Sequence, residues 1–219
     1  MGRYNYITRK VIRDIYGVLN HTYTKYELDS DEFYETGLWV DSYEDRISGL
    51  EFDLELQLEV NNEKYGDIFI IDGCVFTDPD DVPFMILKIG MGRCGDKKIH
   101  SELYPELRDA VRHEIEHLTQ RGYNRKEGKY VRNNDLIRQK IAEDIVPMYK
   151  YFLLKDEVDA NIHGLYSKAK ALKKPFQIVI DEYLDELIDK KVIQKENKET
   201  IYKTWKRRIP EIGGIPQLK

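Results

Sequence analysis

Cysteine is almost missing from this chain, with Cys74 and Cys94 the only two in 219 residues. They do not form a CxxC pair, so no disulfide framework is expected and both read as reduced structural thiols. No apolar run approaches the length of a membrane span. The opening residues Met1-Gly2-Arg3-Tyr4-Asn5-Tyr6 are followed by no apolar stretch of the kind a secretory signal needs. Tyr6 also stands where a myristoylation pattern requires Ser or Thr. These absences predict a cytoplasmic product with no membrane partner. Blocks of one charge are missing too: 35 basic and 40 acidic residues are interspersed, for a formal net charge of −5. Nothing in that pattern demands nucleic acid. The densest basic stretch, Lys203-Thr204-Trp205-Lys206-Arg207-Arg208, reads as a solvated helix face. There is no internal repeat and no low-complexity segment. A hydrophobic content of 41% then supports a single domain over 1–219, built as a sheet-containing lobe over about 1–122 and a helical lobe over about 123–219.

The periodicity predicts an α+β fold. Val11, Ile12, Ile15, Tyr16 and Leu19 fall at helical spacing over 8–20. The polar stretch 21–48 reads as irregular, with a short strand near Leu38 to Val40. Phe52, Leu54, Leu56, Leu58 and Val60 alternate with Asp53, Glu55, Gln57 and Glu59, the pattern of a half-buried strand. A turn at 61–64 leads to a strand over Asp67 to Phe76, and the two strands are expected to pair as an antiparallel hairpin. Asp78-Pro79-Asp80-Asp81 reads as a turn. Phe84 to Ile89 is a third strand, expected at the edge of a small antiparallel or mixed sheet. From Ser101 the pattern is helical, with Leu107, Ala110, Val111, Ile115 and Leu118 on one stripe and Gly122 as the stop. Further helices are predicted at 133–145, 155–173, 176–190 and 197–208, and the last eleven residues read as extended.

Within the first helix of that second half lies His113-Glu114-Ile115-Glu116-His117. Residues i and i+4 share a helix face, so both imidazoles can reach one zinc ion. Glu114 leans beside that ion, placed to act as general base toward a water that the metal makes acidic. The metal face is separate from the apolar stripe, which favours a built site over two histidines on an ordinary surface helix. A peptidase site needs a third protein ligand and keeps the fourth position open. Glu157, in Glu157-Val158-Asp159-Ala160-Asn161-Ile162-His163-Gly164, is the leading candidate, because the small Ala160 would let its helix pack closely on the motif helix. His163 is an alternative third ligand. His100 reads as structural.

HEIEH followed by Glu157-x-x-Ala160 on a second helix resembles the gluzincin branch of the zincin metallopeptidases, in its minimal forms, over roughly residues 50–175. The resemblance implies one Zn2+ held by His113, His117 and Glu157, Glu114 as the catalytic base, and a peptide or protein substrate aligned on an edge strand. The composition also resembles peptidases of large tailed phages, which would place the product in the host cytoplasm. Many gluzincins carry an aspartate four residues after the third ligand. That position is Asn161 here, so Asp156, Asp159 or Glu116 becomes the candidate to orient a ligand histidine. An oxyanion donor is sought among His163, Tyr166, Tyr149 and Tyr151. The competing expectation is a non-catalytic phage accessory or binding protein in which the zinc site is structural or vestigial.

Overall fold

The computed structural model describes residues 4–25, 34–46, 48–66, 68–76, 82–92, 97–123 and 129–218. Their order is α1 (Asn5–Lys25), β1 (Tyr34–Asp45), β2 (Leu50–Val60), a single-turn α2 (Asn62–Tyr65), β3 (Phe69–Phe76), β4 (Phe84–Met91), α3 (Lys97–Tyr123), α4 (Lys129–Ala142), a 3-10 helix (Met148–Leu153), α5 (Lys155–Leu172), α6 (Phe176–Asp189) and α7 (Lys195–Ile212). The architecture is α+β, with one small mixed sheet followed by helices. The turn expected at 78–81 lies outside the described residues, as do Cys94 and Gly95. No helix among the described residues is long and apolar enough to cross a membrane.

The sheet order β1-β2-β4-β3 corrects two expectations. β2 does not pair with β3; it runs parallel to β4, and β4 and β3 form the antiparallel pair. Phe84 to Ile89 is therefore interior, and Phe69–Phe76 is the edge strand beside it, with β1 at the opposite edge. The physical reason is apolarity. Along β4, Met85, Leu87, Ile89 and Met91 are buried on one face, and on the other Phe84 and Ile86 are half-buried and only Lys88 is exposed, the more covered pattern of an interior strand. β3 alternates instead, exposing Ile70, Asp72, Cys74 and Phe76, as an edge strand can. The stretch read as irregular also holds more structure than its sequence suggests. α1 runs on to Lys25, and β1 pairs antiparallel with β2 across an irregularity between Thr36 and Trp39.

Buried side chains fall into two clusters. One joins Ile7, Val11, Ile15 and Leu19 of α1 to the inner face of the sheet and to Leu107, Val111, Ile115 and Leu118 of α3. The other gathers Phe152 with Val158, Ile162 and Leu165 of α5, Ile180 and Leu184 of α6, and Ile201, Trp205 and Ile209 of α7. Trp205, inside the basic stretch of α7, is fully buried and donates its indole N–H to the Phe152 carbonyl at 2.9 Å. Arg208 is engaged by Asp159 and Glu211, so this stretch anchors α7 as well as facing solvent.

The two clusters meet where α5 crosses α3. The fully buried Ala160 contributes, and the tightest point is Gly164. A Cβ added there would lie 2.2 Å from Asp109 Oδ1, 3.0 Å from the Asp109 carbonyl oxygen and 3.3 Å from His113 Cβ. Glycine inside a helix ordinarily costs about 1 kcal/mol relative to alanine; here the close approach reverses that preference. Gly164→Ala should therefore destabilise the fold by about 1–3 kcal/mol in chemical denaturation. A gain in stability would show that the helices are not in contact at this point.

Candidate metal centre

His113 and His117 project from one face of α3, and their Nε2 atoms stand 3.0 Å apart. Glu157 reaches them from the first turn of α5, a position that favours a carboxylate through the helix dipole. Its Oε2 lies 3.3 Å from His117 Nε2 and 3.7 Å from His113 Nε2. Two metal–ligand bonds of about 2.0–2.1 Å at the tetrahedral angle place their donors about 3.3 Å apart. The three separations bracket that edge length. Glu157 is 2% exposed, and its Oε2 accepts no hydrogen bond, a costly state for a buried carboxylate oxygen unless a cation meets it. The donor set therefore fits a metal ion.

Burial opposes charge on all three groups and is offset unevenly. It drives His113 down to about 3, with the charges of His117 and Arg112 adding to it against Glu157. At Glu157 burial is outweighed by His117, His113 and Arg138, which together hold the carboxyl down at about 2. At His117 it is outweighed by the Glu157 carboxylate, whose Oε2 lies 3.3 Å away, and the imidazole is raised. Arg138 of α4 fixes the carboxylate from behind. Its Nη2 donates to Glu157 Oε1 at 2.7 Å and also to Asp156, whose other oxygen accepts from Asn134 Nδ2 at 2.8 Å. With Oε1 held by Arg138, Oε2 is the oxygen turned to the imidazoles.

Beside the triad a cleft of about 600 Å³ opens between β3, α3 and the helical cluster, lined among others by Gly73, His113, Glu114, Tyr151, Asn161 and Tyr183. Glu114 is 7% exposed and lies flat on the edge strand, because a Cβ at Gly73 would come within 2.7 Å of its Cγ and 2.9 Å of its Oε1. An isolated glycine in a strand marks such an approach, and this was the available signal for Gly73. Tyr151 is kept protonated far above the ordinary phenol range, by burial first and then by the Glu157 charge. Asp109, one turn before His113, also lines the cleft. Burial, with Glu106 and Glu186 adding to it against Lys168, raises its carboxyl to about 7.

His113, His117, Glu157 and Glu114 are thus brought together as expected, while the supporting residues differ. His163 is not a third ligand; it stands on another face of α3's neighbour α5, 3.6 Å from Glu116 Oε2. Asn161 donates to the Glu157 carbonyl and accepts from the Tyr183 hydroxyl. Of the candidates to orient a histidine, Asp159 is engaged by Arg208, Glu116 by Arg112, and Asp156 by Arg138. None of the three bonds to a ligand imidazole among the described residues. Tyr166 packs on Phe176 and Tyr149 lies in the helical cluster, so Tyr151 is the tyrosine of that group at the cleft. The side chain of His100 lies outside the described residues. No sequence signal announced Arg138, one of four basic residues on an unremarkable helix. Comparison with protein-family models, curated proteins and solved structures returned no match.

Two outcomes follow from these contacts. Arg138→Met should lower divalent-metal affinity about 10–100-fold in a competitive chelator titration, and in every variant affinity should fall as pH drops through the raised His117 value, where a proton competes with the ion. Equal affinity in wild type and Arg138→Met would remove Arg138 from the site. For Asp109, the folded state holds a proton that the unfolded chain loses near pH 4, so its contribution to stability declines from about pH 4 to 7. Asp109→Asn should flatten that decline and add about 2 kcal/mol at pH 8, measured by urea unfolding across pH.

Proposed function

We propose that the chain is a zinc-dependent peptidase of the zincin type, gluzincin-like in its ligand set, with His113, His117 and Glu157 holding one Zn2+ and Glu114 as general base. The observation that carries this reading is the three-donor triangle with Glu114 beside it at the wall of an open cleft. Two imidazoles and one carboxylate are a borderline N/O set that suits zinc. A structural zinc site closes all four positions with protein ligands. Among the described residues this one offers three, which supports a fourth position left for reaction.

A zinc ion held there supplies Lewis acidity and lowers the pKa of an attacking water toward neutrality. Glu114, pressed against Gly73, takes the proton from that water and can pass it to the leaving amine. Tyr151, held as a neutral phenol, donates to the oxyanion that develops on the substrate carbonyl. Among the described residues β3 pairs with β4 on one side only, so an extended peptide can add along its other side and bring a scissile bond past Glu114. Recognition of that kind reads backbone more than side chains, and fits a peptide or protein substrate of broad sequence.

Glu114→Gln should keep stoichiometric zinc by elemental analysis while hydrolysis of a peptide library falls about 10²–10⁴-fold. Tyr151→Phe should lower kcat about 10²–10³-fold with little change in KM. Zinc in wild-type protein that cleaves no peptide in the pool would instead support the non-catalytic alternative, a binding protein with a structural site. Full hydrolysis by Glu114→Gln would sink the mechanism.

A further inference from the structure

A second cavity, of about 230 Å³, lies against α3 and α5 away from the metal cleft, lined by Arg112, Glu116, His163, Ser167 and Lys170 and closed by Gly213 and Gly214 after α7. Arg112 and Glu116 precede the two ligand histidines by one residue each, so they stand about 100° round the helix axis from them.

Three side chains bring donors to this cavity: Arg112, Ser167 and Lys170. Arg112 is 6% exposed and gives Nη2 to Glu116 Oε2 at 2.8 Å, yet its Nη1 is buried without a hydrogen-bond partner. A guanidinium donor in that state is costly unless an acceptor meets it. Ser167, buried on α5, accepts from Arg108 Nε at 3.0 Å, which leaves its own hydroxyl hydrogen to donate. Lys170 stands 3.9 Å over the Tyr166 ring and has no carboxylate partner among the described residues. Among the described residues Glu116 is the single carboxylate lining the cavity. His163 is pushed down to about 3, by burial first and then by the charges of Arg112, Arg208 and Lys170, so it adds no charge near neutral pH. Arg112 and Lys170 against Glu116 leave an excess of one positive charge.

We propose that this cavity binds a small oxyanion, a phosphate or carboxylate group, received by Arg112, Ser167 and Lys170. The shared chemistry is a compact anion with several acceptor oxygens, for which a guanidinium is the matching donor. Glu116 holds the guanidinium in place through Nη2, and the excess charge is balanced on binding. This site is independent of the peptidase reading and makes no use of the metal.

The test is calorimetric titration of the full chain with inorganic phosphate and, separately, with acetate, at ionic strength held constant with sodium chloride. Saturable binding of either anion in the millimolar range or tighter is expected, and which of the two binds identifies the group. Arg112→Gln should weaken it about tenfold or more. Lys170→Gln, at an exposed position that the fold does not need, should weaken it about three- to fivefold and keeps the test open if Arg112→Gln fails to fold. No saturable binding of either anion, or binding unchanged by both substitutions, overturns the proposal. Binding that disappears when divalent metal is chelated places the anion at the His113–His117–Glu157 triad and overturns it equally.

Discussion

Where α5 crosses α3, the missing Cβ at Gly164 leaves the space that the Asp109 carboxyl occupies and lets the α5 backbone come up to the Cβ of His113. Helix axes with ordinary side chains between them stand 8–10 Å apart, and the carboxylate of a residue at the start of one helix reaches the imidazoles of the other only if that spacing is kept small. Gly164 and Ala160 keep it small. Glu157 enters the gap two turns before Gly164, and its Oε2 arrives within 3.7 Å of both Nε2 atoms. The sheet, α1 and the second helical cluster press on this pair from opposite sides. Their packing is what the close contact needs, since neither helix alone fixes the other's height.

That closeness has an electrostatic cost which the surroundings offset only in part. Glu157 is almost wholly buried, and Arg138 neutralises one of its oxygens while leaving the other without a donor. Asp109 sits near two further carboxylates and holds its proton toward neutral pH. Sequences that fold well seldom leave such groups in conflict except where function demands it. The conflict here is local: within one turn of His113 on α3 and at the start of α5. Elsewhere charged side chains such as Lys168 and Glu106, or Arg208 and Asp159, are paired in the ordinary way.

Much of this was legible in the residues, for reasons that can be named. The i, i+4 histidines on a periodic helix need no tertiary information to share a face, and Glu157 was reachable because a small residue follows it at Ala160. Strand order was not legible in the same way. Pairing partners are set by which strand is covered more completely, and the nearest neighbour in sequence was preferred for β2 although Phe84 to Met91 exposes only Lys88 where Phe69 to Phe76 exposes every second residue. The supporting residues were hidden for another reason. Arg138 and Tyr183 lie on separate helices with nothing periodic to link them, Tyr151 was one of four nominees that nothing in the sequence ranked, and only the fold brings the three around Glu157 and Asn161.

The burial of α3 decides between the two ways of regarding its histidines. Two histidines on an ordinary surface helix would face water, but His117 and Glu114 are each 7% exposed and Arg112 6%. Leu107, Val111, Ile115 and Leu118 face the sheet, Arg108 and Arg112 face α5 and the smaller cavity, and Asp109, His113 and Glu114 face the cleft. Consecutive residues thus meet different partners, and little of the helix is left for solvent. A polar group on such a helix is retained only if something answers it. For Arg112 Nη2 that is Glu116, for Glu157 Oε1 it is Arg138, and for Glu157 Oε2, among the described residues, no donor does so. A cation between that oxygen and the two Nε2 atoms would answer it, and a metal bound there would add to stability as well as supply chemistry.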